Sequence, residues 1–203
     1  MAPLPAIPLS ALFPSPAMAR LVVFFALHPG TTVHLRELER RTGLATSSLQ
    51  NELRRLTAMG VLTRMKERGR VLYAAAEDHD AWRGWRLLIR ACADPADVLR
   101  EVFAGAGEID AAFVYGSRAR GDARPDSDLD LFIVGEPEST RRLREPLLEA
   151  ENLVGSELDV IAYTPEQLAE RVRSGNAFVA RVLREPKRWL AGSGTALARL
   201  EAA

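Results

Sequence analysis

Apolar and polar positions change period along this chain, and the changes mark its elements. Residues 17–27 (Ala-Met-Ala-Arg-Leu-Val-Val-Phe-Phe-Ala-Leu) are apolar nearly all round, which predicts a buried helix stopped by His28-Pro29-Gly30. A short extended piece follows at Thr31–His34. Leu35 to Thr42 then reads as a helix with Leu35 and Leu38 on one side and Arg36, Glu37, Glu39, Arg40 and Arg41 elsewhere. Gly43-Leu44 predicts a tight turn. The next helix, capped by Thr46 or Ser47, places Leu49, Leu53 and Leu56 at spacings of four and three and ends near Met59, with Gly60 as its C-cap. Val61–Met65 and Val71–Ala74 read as two strands around Glu67-Arg68-Gly69-Arg70.

Residues 79–107 predict one or two helices. Trp82, Trp85, Leu88, Ile89, Val98, Val102 and Phe103 recur at helical spacing as a packing seam, with Asp94 as N-cap and Pro95 in the first turn. From Ile109 strands and helices alternate. Strand 111–115 runs into Gly116-Ser117, and strand 129–134 follows. A helix over 138–152 comes next, then strand 157–163, in which Leu158 and Val160 are expected to point into the core and Asp159 away from it. Thr164-Pro165-Glu166-Gln167 has the form of a capping box. A helix over 176–184 and a short strand at 187–191 complete the pattern, and the tail after Gly192 is expected to fray.

The expected divisions are an extended N-terminal arm over 1–16, a first domain over 17–78, a connecting helix over 79–96, a second domain over 97–192 and a tail over 193–203. The arm holds five prolines and neither Lys nor Arg, unlike a secretory leader. It is read either as an extended segment on a neighbouring subunit or as disordered.

Composition changes this picture little. The 203 residues are 47% hydrophobic, enough for a real core. Lys plus Arg and Asp plus Glu are both 27, so total charge indicates no partner. The local distribution is more telling: 64–70 and 117–124 are basic, while carboxylates gather at 126–130. The one cysteine, Cys92, excludes an internal disulfide or a multi-cysteine zinc site and is expected to be buried and inert. No apolar run approaches the roughly 18–20 residues of a membrane span, and a cytoplasmic location is expected. His28, His34 and His79 lack metal-ligand spacing. The chain contains neither Gly-x-x-x-x-Gly-Lys nor Gly-x-Ser-x-Gly.

The chemistry concentrates between two apolar strands. Alternation puts Asp128 and Asp130 on one face. Asp159, on the following strand, faces them if the strands are neighbours. Three such carboxylates supply the hard oxygen ligands Mg²⁺ prefers. Two such ions about 3.5–4 Å apart stabilise attacking and leaving oxygens at phosphorus. In this reading Asp128 and Asp130 hold the metals, and Asp159 completes the site and accepts a proton from an attacking hydroxyl. Gly116 admits a phosphate close to the backbone and Ser117 donates to it. Arg118, Arg120 and Arg124 are read either as charges opposite pyrophosphate or as surface cations.

Gly116-Ser117, ten residues, then Asp128-Leu129-Asp130 resembles the signature of minimal nucleotidyltransferases of the DNA polymerase β-like superfamily, with Gly121 and Asp126-Ser127 also matching its loop. The resemblance implies a mixed-sheet domain with flanking helices over about 97–192, Mg²⁺ dependence, and transfer of a nucleoside monophosphate from an NTP, with ATP the expected donor. The order helix, short strand, helix, turn, helix, hairpin over 17–76 resembles a winged helix-turn-helix. It implies a two-domain α+β and α/β chain. In such modules the second helix of the motif enters the major groove, which makes Ser47, Ser48, Gln50, Asn51, Arg54 and Arg55 candidate base or phosphate contacts, with Arg68 and Arg70 reaching adjacent phosphates. The alternative is a module for dimerisation or protein binding.

The whole chain is similar to bacterial and archaeal proteins that fuse these two domains and are described as nucleotidyltransferase-type regulators. Some minimal nucleotidyltransferases act as antitoxins that adenylylate a partner toxin, and others modify aminoglycosides, a chemistry that has no need of a DNA-binding module. Three readings follow: an Mg²⁺-dependent transferase acting on a protein or nucleic-acid hydroxyl; a DNA-binding regulator with a silent, nucleotide-sensing domain; and a scaffold pairing with a toxin through its helices. A homodimer is expected for paired DNA half-sites.

Overall fold

The structure, a computed structural model, describes residues 6–104, 109–124 and 127–201. It contains helices and two sheets, an α+β arrangement. The chain divides into two compact units, Met1–Glu101 and Val102–Ala203, with the boundary inside one helix.

The first unit begins with helices α1 (Leu9–Leu12) and α2 (Pro16–Ala26), followed by strand β1 (Val33–His34) and helices α3 (Leu35–Thr42) and α4 (Thr46–Ala58). Strands β2 (Leu62–Glu67) and β3 (Arg70–Ala75) and helix α5 (Asp80–Cys92) come next, and α6 (Pro95–Ala104) crosses into the second unit. The three strands form an antiparallel sheet in the order β1-β3-β2. The all-round apolar pattern of α2 is explained by burial of Met18, Leu21, Val22, Val23, Phe24 and Phe25. Leu38, Leu49, Leu53 and Leu56 close over it, each fully buried.

Several expectations for this unit are revised. Within the expected arm, residues 1–5 lie outside the described residues, and the rest folds onto its own unit. Ile7 bridges to Ala93, and Leu9 and Phe13 are buried. The Phe13 ring stacks on Trp85 at 4.8 Å. Each such side chain gains about 1.5–3 kcal/mol by leaving water, which outweighs the proline-rich backbone's preference for extension. The prolines fit the helix starts: Pro16 takes the first position of α2, and Ser15 caps it by accepting from the Met18 N–H. The cap of α4 is Ala45, not Thr46 or Ser47, because the Thr46 hydroxyl donates to the Glu39 carboxylate of α3 instead. Cys92 is a half-buried free thiol at the end of α5, not a fully buried one. The segment expected to connect the units is two helices, α5 and α6, and Asp94 caps α6 as expected through the Ala96 N–H. The hairpin turn is the two residues Arg68-Gly69, tighter than expected.

The second unit runs β4 (Ala111–Val114), α7 (Gly116–Arg120), β5 (Leu129–Val134), α8 (Pro137–Arg142) and α9 (Arg144–Val154). It continues with β6 (Leu158–Tyr163), α10 (Pro165–Arg173), α11 (Ala177–Arg184), β7 (Arg188–Ala191) and α12 (Gly194–Glu201). Its mixed sheet has the order β6-β5-β4-β7. β5 and β6 are parallel, and the other pairings are antiparallel. One face carries Ala111, Phe113, Tyr115, Phe132 and Val134 against Leu168, Val179, Val182 and Leu197 of α10, α11 and α12. The tail expected to fray is thus a helix, anchored by buried Leu197. The helix expected over 138–152 is two, α8 and α9. Pro146 lacks an N–H for the Arg142 carbonyl and clashes with it, which ends the first helix there. Val160 is 41% exposed and Leu158 half-buried, not core as expected, because β6 is an edge strand. Among the described residues no helix is long and apolar enough to cross a membrane.

Candidate active site

β4 delivers the chain to the site, and its register fixes what faces what. Val114 pairs with Leu131, and the Tyr115 N–H donates to the Asp130 carbonyl at 3.0 Å, so Tyr115 lies opposite Asp130. On the other side of β5, Asp130 is the direct partner of Asp159 on β6. Tyr115, Asp130 and Asp159 therefore form one transverse row on one face, with neighbours about 5 Å apart. The expectation that Asp159 faces Asp130 depended on the strands being adjacent, and they are.

Immediately after Tyr115 the backbone turns at Gly116, with φ +66°. A methyl group at this position would overlap the Asp130 carboxylate, lying 2.9 Å from its Cγ. Both the dihedral and the close approach require glycine. The peptide passes over the carboxylate, and α7 begins there. Arg118 of this helix donates to the Ser127 carbonyl at 2.7 Å and to the Ser156 hydroxyl at 3.3 Å. It thereby ties α7 to the start of β5 and to the turn before β6. Arg120 lies outward, paired with Asp122 at 3.2 Å and with Glu185 at 3.4 Å. The Arg124 N–H donates to the Ser127 hydroxyl, and the Arg124 side chain is exposed. Asp126 lies outside the described residues.

Electrostatics agree with this crowding. Burial raises the Asp130 pKa, and repulsion from Asp159, Asp128 and Glu185 adds to it, against attraction by Arg120. Tyr115 is pushed up to about 12 by burial and then by Asp130 and Asp159, with Arg181 opposing. Oxygen donors that repel one another are the chemistry a hard divalent cation satisfies, so the donor set fits Mg²⁺. The expected convergence of Asp128, Asp130 and Asp159 is not closed, however. Among the described residues no group of three or more His, Cys, Asp or Glu is gathered to hold a metal ion. Asp128 is exposed and precedes the first ladder residue of β5, Leu129, so no strand pairing holds it against the other two.

Sequence reasoning missed Tyr115, Arg181 and Glu185. The last two come from α11 and its C-cap, whose placement beside β4 and β5 depends on tertiary packing. Tyr115 was read only as the end of an apolar strand. Adjacency of β4 and β5 would have revealed it as a cross-strand neighbour of Asp130.

In the first unit, Ser47, Gln50, Asn51, Arg54 and Arg55 are exposed on α4, and Ser48 is half-buried. Arg54 donates to Asn51 at 3.3 Å. Arg55 leans on buried Glu52, which also accepts from Ser15 at 2.8 Å. Arg68, in the hairpin turn, and Arg70, at the start of β3, are exposed, and Arg68 takes φ +48°. The histidines have structural roles. His34 and His79 cap α3 and α5, and His28, whose pKa burial lowers, packs on Phe24.

No curated protein and no solved structure matches the chain. Residues 98–180, from within α6 into α11, match the family model described as Polymerase beta, Nucleotidyltransferase, and this stretch is therefore a domain of nucleotidyltransferase type.

Proposed function

We propose that the second unit transfers a nucleoside monophosphate, AMP by preference, from an NTP to a hydroxyl of a protein or nucleic acid, and that the first unit is a winged helix-turn-helix docking on duplex DNA. The observation that carries the transferase reading is the in-register pairing of Asp130 with Asp159 beside the backbone turn at Gly116. Asp128, Asp130 and Asp159 are the residues to hold Mg²⁺, which when bound neutralises charge on the attacking and leaving oxygens. Gly116 and Ser117 receive the β- and γ-phosphates. The Ser117 hydroxyl makes no hydrogen bond among the described residues and is available to donate. Asp159 accepts the proton of the acceptor hydroxyl as its oxygen bonds to the α-phosphorus, and the bond to the β-phosphate oxygen breaks to release pyrophosphate. Arg120 supports that end of the site. Arg118 contributes by fixing the loop, since its guanidinium is engaged with Ser127 and Ser156.

For the first unit, support comes from the order of α2, α3, α4 and the β2–β3 hairpin, with exposed polar residues on α4 and arginines at the hairpin tip. A dimer on paired half-sites, and a partner toxin as the acceptor protein, belong to the same proposal.

The test is transfer of label from α-³²P-ATP with Mg²⁺ to acceptors in an extract of the host cell. Label is expected with the native chain and absent with Asp128→Ala or Asp130→Ala; label that survives both changes refutes the transferase reading. The alternative, a DNA-binding regulator with a nucleotide-sensing and catalytically silent second unit, is favoured by one observation: the three acids do not close into a metal-holding group among the described residues. It expects duplex binding without any labelled product.

A further inference from the structure

The sheet of the second unit has an open edge that neither proposed activity uses. β6 ends the strand order β6-β5-β4-β7, so it is bonded on one side only. The Leu129 N–H donates to the Glu157 carbonyl at 2.8 Å, and the Gly135 N–H to the Tyr163 carbonyl at 3.1 Å. The odd-numbered residues of β6 therefore turn their backbone groups toward β5, and Leu158, Val160 and Ala162 turn theirs outward. The Leu158 N–H is taken by the Glu151 carboxylate of α9 at 3.0 Å, and the N–H groups of Val160 and Ala162 have no partner among the described residues. An edge of this kind templates pairing with another strand unless a charge, a proline or a bulge blocks it. β6 has no proline and no break in its register, and its one charge, Asp159, lies on the other face from Val160.

The side chains beside this edge form a strip. Leu158, Val160 and Ala162 line a groove with Leu148 of α9, and Val160 and Leu148 are 41% and 57% exposed. Arg144 and Glu151 of the same helix border it. α9 joins two parallel strands, so it runs antiparallel to β6. Glu151 is fixed at Leu158, and Arg144, two helical turns earlier, stands about 10 Å further along, toward Ala162. Arg144 is exposed and makes no ion pair among the described residues. The strip is thus acidic at the Leu158 end, basic toward Ala162 and apolar at Val160 between them. A strip with opposite charges at its two ends is complementary to itself when turned end for end.

We propose that β6 pairs antiparallel with β6 of a second copy of this chain, about a two-fold axis at Val160, joining the two sheets into one. Val160 then exchanges both hydrogen bonds with Val160 of the second copy, and each Ala162 N–H donates to the Leu158 carbonyl opposite. Large Leu158 lies against small Ala162. Arg144 lies across the seam from Glu151 of the second copy, whose carboxylate keeps one oxygen beyond the one bonded to Leu158. A crossover helix sits over the middle of its strand pair, so the two α9 helices stand about 10 Å apart, an ordinary packing distance, with Leu148 between them. On the opposite face the two Asp159 carboxylates become diagonal neighbours at about 7–8 Å, farther apart than directly opposed Asp130 and Asp159. This contact depends on neither the transferase nor the DNA reading.

The experiment is sedimentation equilibrium of the full-length chain, without nucleotide or nucleic acid, beside its Val160→Lys and Arg144→Glu variants, with circular dichroism of each. The native chain is expected to be dimeric at about 100 µM, and each variant to dissociate at least about tenfold more readily. Cysteine cross-linking in a Cys92→Ser background reads the register. Cα atoms of a bonded antiparallel pair stand about 5.5 Å apart, within disulfide reach, so Val160→Cys is expected to oxidise to a covalent dimer and Ala162→Cys is not. A native chain that stays monomeric overturns the proposal and leaves the groove to a segment of a different protein. A dimer that keeps its strength in both charge variants and is not locked by Val160→Cys is assembled elsewhere, and overturns it equally. Should Val160→Lys fail to fold, Arg144→Glu decides the question, since its side chain is exposed and has no ion pair to lose among the described residues.

Discussion

Asp130 shows how a single residue trades stability for chemistry. Its carboxyl is half-buried under the Gly116 peptide and faces Asp159 across one strand spacing. Its pKa is raised in the folded chain, first by burial and then by Asp159. The folded state therefore holds the proton more tightly than the unfolded one. Stability linked to this group is present below the ordinary carboxylate range and lost as pH rises through the folded pKa. Asp130→Asn mimics the protonated form at every pH. The variant is expected to melt higher than the native chain at pH 7, with the gap closing as pH falls below about 4. Adding Mg²⁺ at pH 7 should raise the native melting temperature and leave the variant's unchanged. A native chain that melts above Asp130→Asn at neutral pH without metal would contradict the repulsion argument. The two aspartates and the glycine were legible in the sequence because strand alternation and the Gly-Ser spacing are local signals. Tyr115, Arg181 and Glu185 were not, because what gives them meaning is a neighbour brought in from another part of the chain.

At the scale of elements, the β2–β3 hairpin carries an unusual choice. Its two central residues, Arg68 and Gly69, both have positive φ, at 48° and 80°. This is the tight turn whose twist suits a hairpin, and it favours Asn-Gly or Gly-Gly. An arginine in the left-handed region costs about 1–2 kcal/mol relative to residues at ease there. Such strain at an exposed tip is consistent with the side chain being kept for contact with phosphate. Arg68→Asn is expected to stabilise the chain by about 1 kcal/mol, read from denaturant midpoints. It should also weaken duplex binding and reduce the salt slope by about one unit. If stability rises and duplex affinity is unmoved, Arg68 has no part in docking. Element-scale reading succeeded where the period was clean, as in α3, α4, β5 and the capping box of α10. It failed where one residue overrode the period, as Pro146 does between α8 and α9. It failed again where a short apolar signal was undervalued, as with Leu9 and Phe13 in the N-terminal segment and Leu197 in α12.

For the whole molecule, the neutral total conceals a division. Met1–Glu101 holds 14 Lys and Arg against 10 Asp and Glu, whereas Val102–Ala203 holds 13 against 17. A basic excess attracts nucleic acid and loses that attraction to salt; an acidic excess around a carboxylate row calls for a cation before a polyanionic nucleotide can approach. The two proposed ligands should therefore respond to different variables and leave different marks. Hydrogen exchange followed by mass spectrometry is the measurement that separates them. ATP with Mg²⁺ is expected to slow exchange in β4, β5 and β6 and in the Gly116 turn, with α4 unaffected. A short duplex is expected to slow exchange at α4 and the β2–β3 hairpin, with protection falling steeply between 50 and 200 mM salt, as release of counterions from the phosphates requires. Protection of α4 by nucleotide, with no duplex present, would show that occupancy of the carboxylate row is communicated to the helix proposed to dock on DNA. The chain would then be a nucleotide-controlled DNA binder, with the first unit as the output. Protection confined to the second unit would instead fit the proposal that the first unit only brings the proposed transferase to its acceptor, so the pattern at α4 separates these two forms of the proposal.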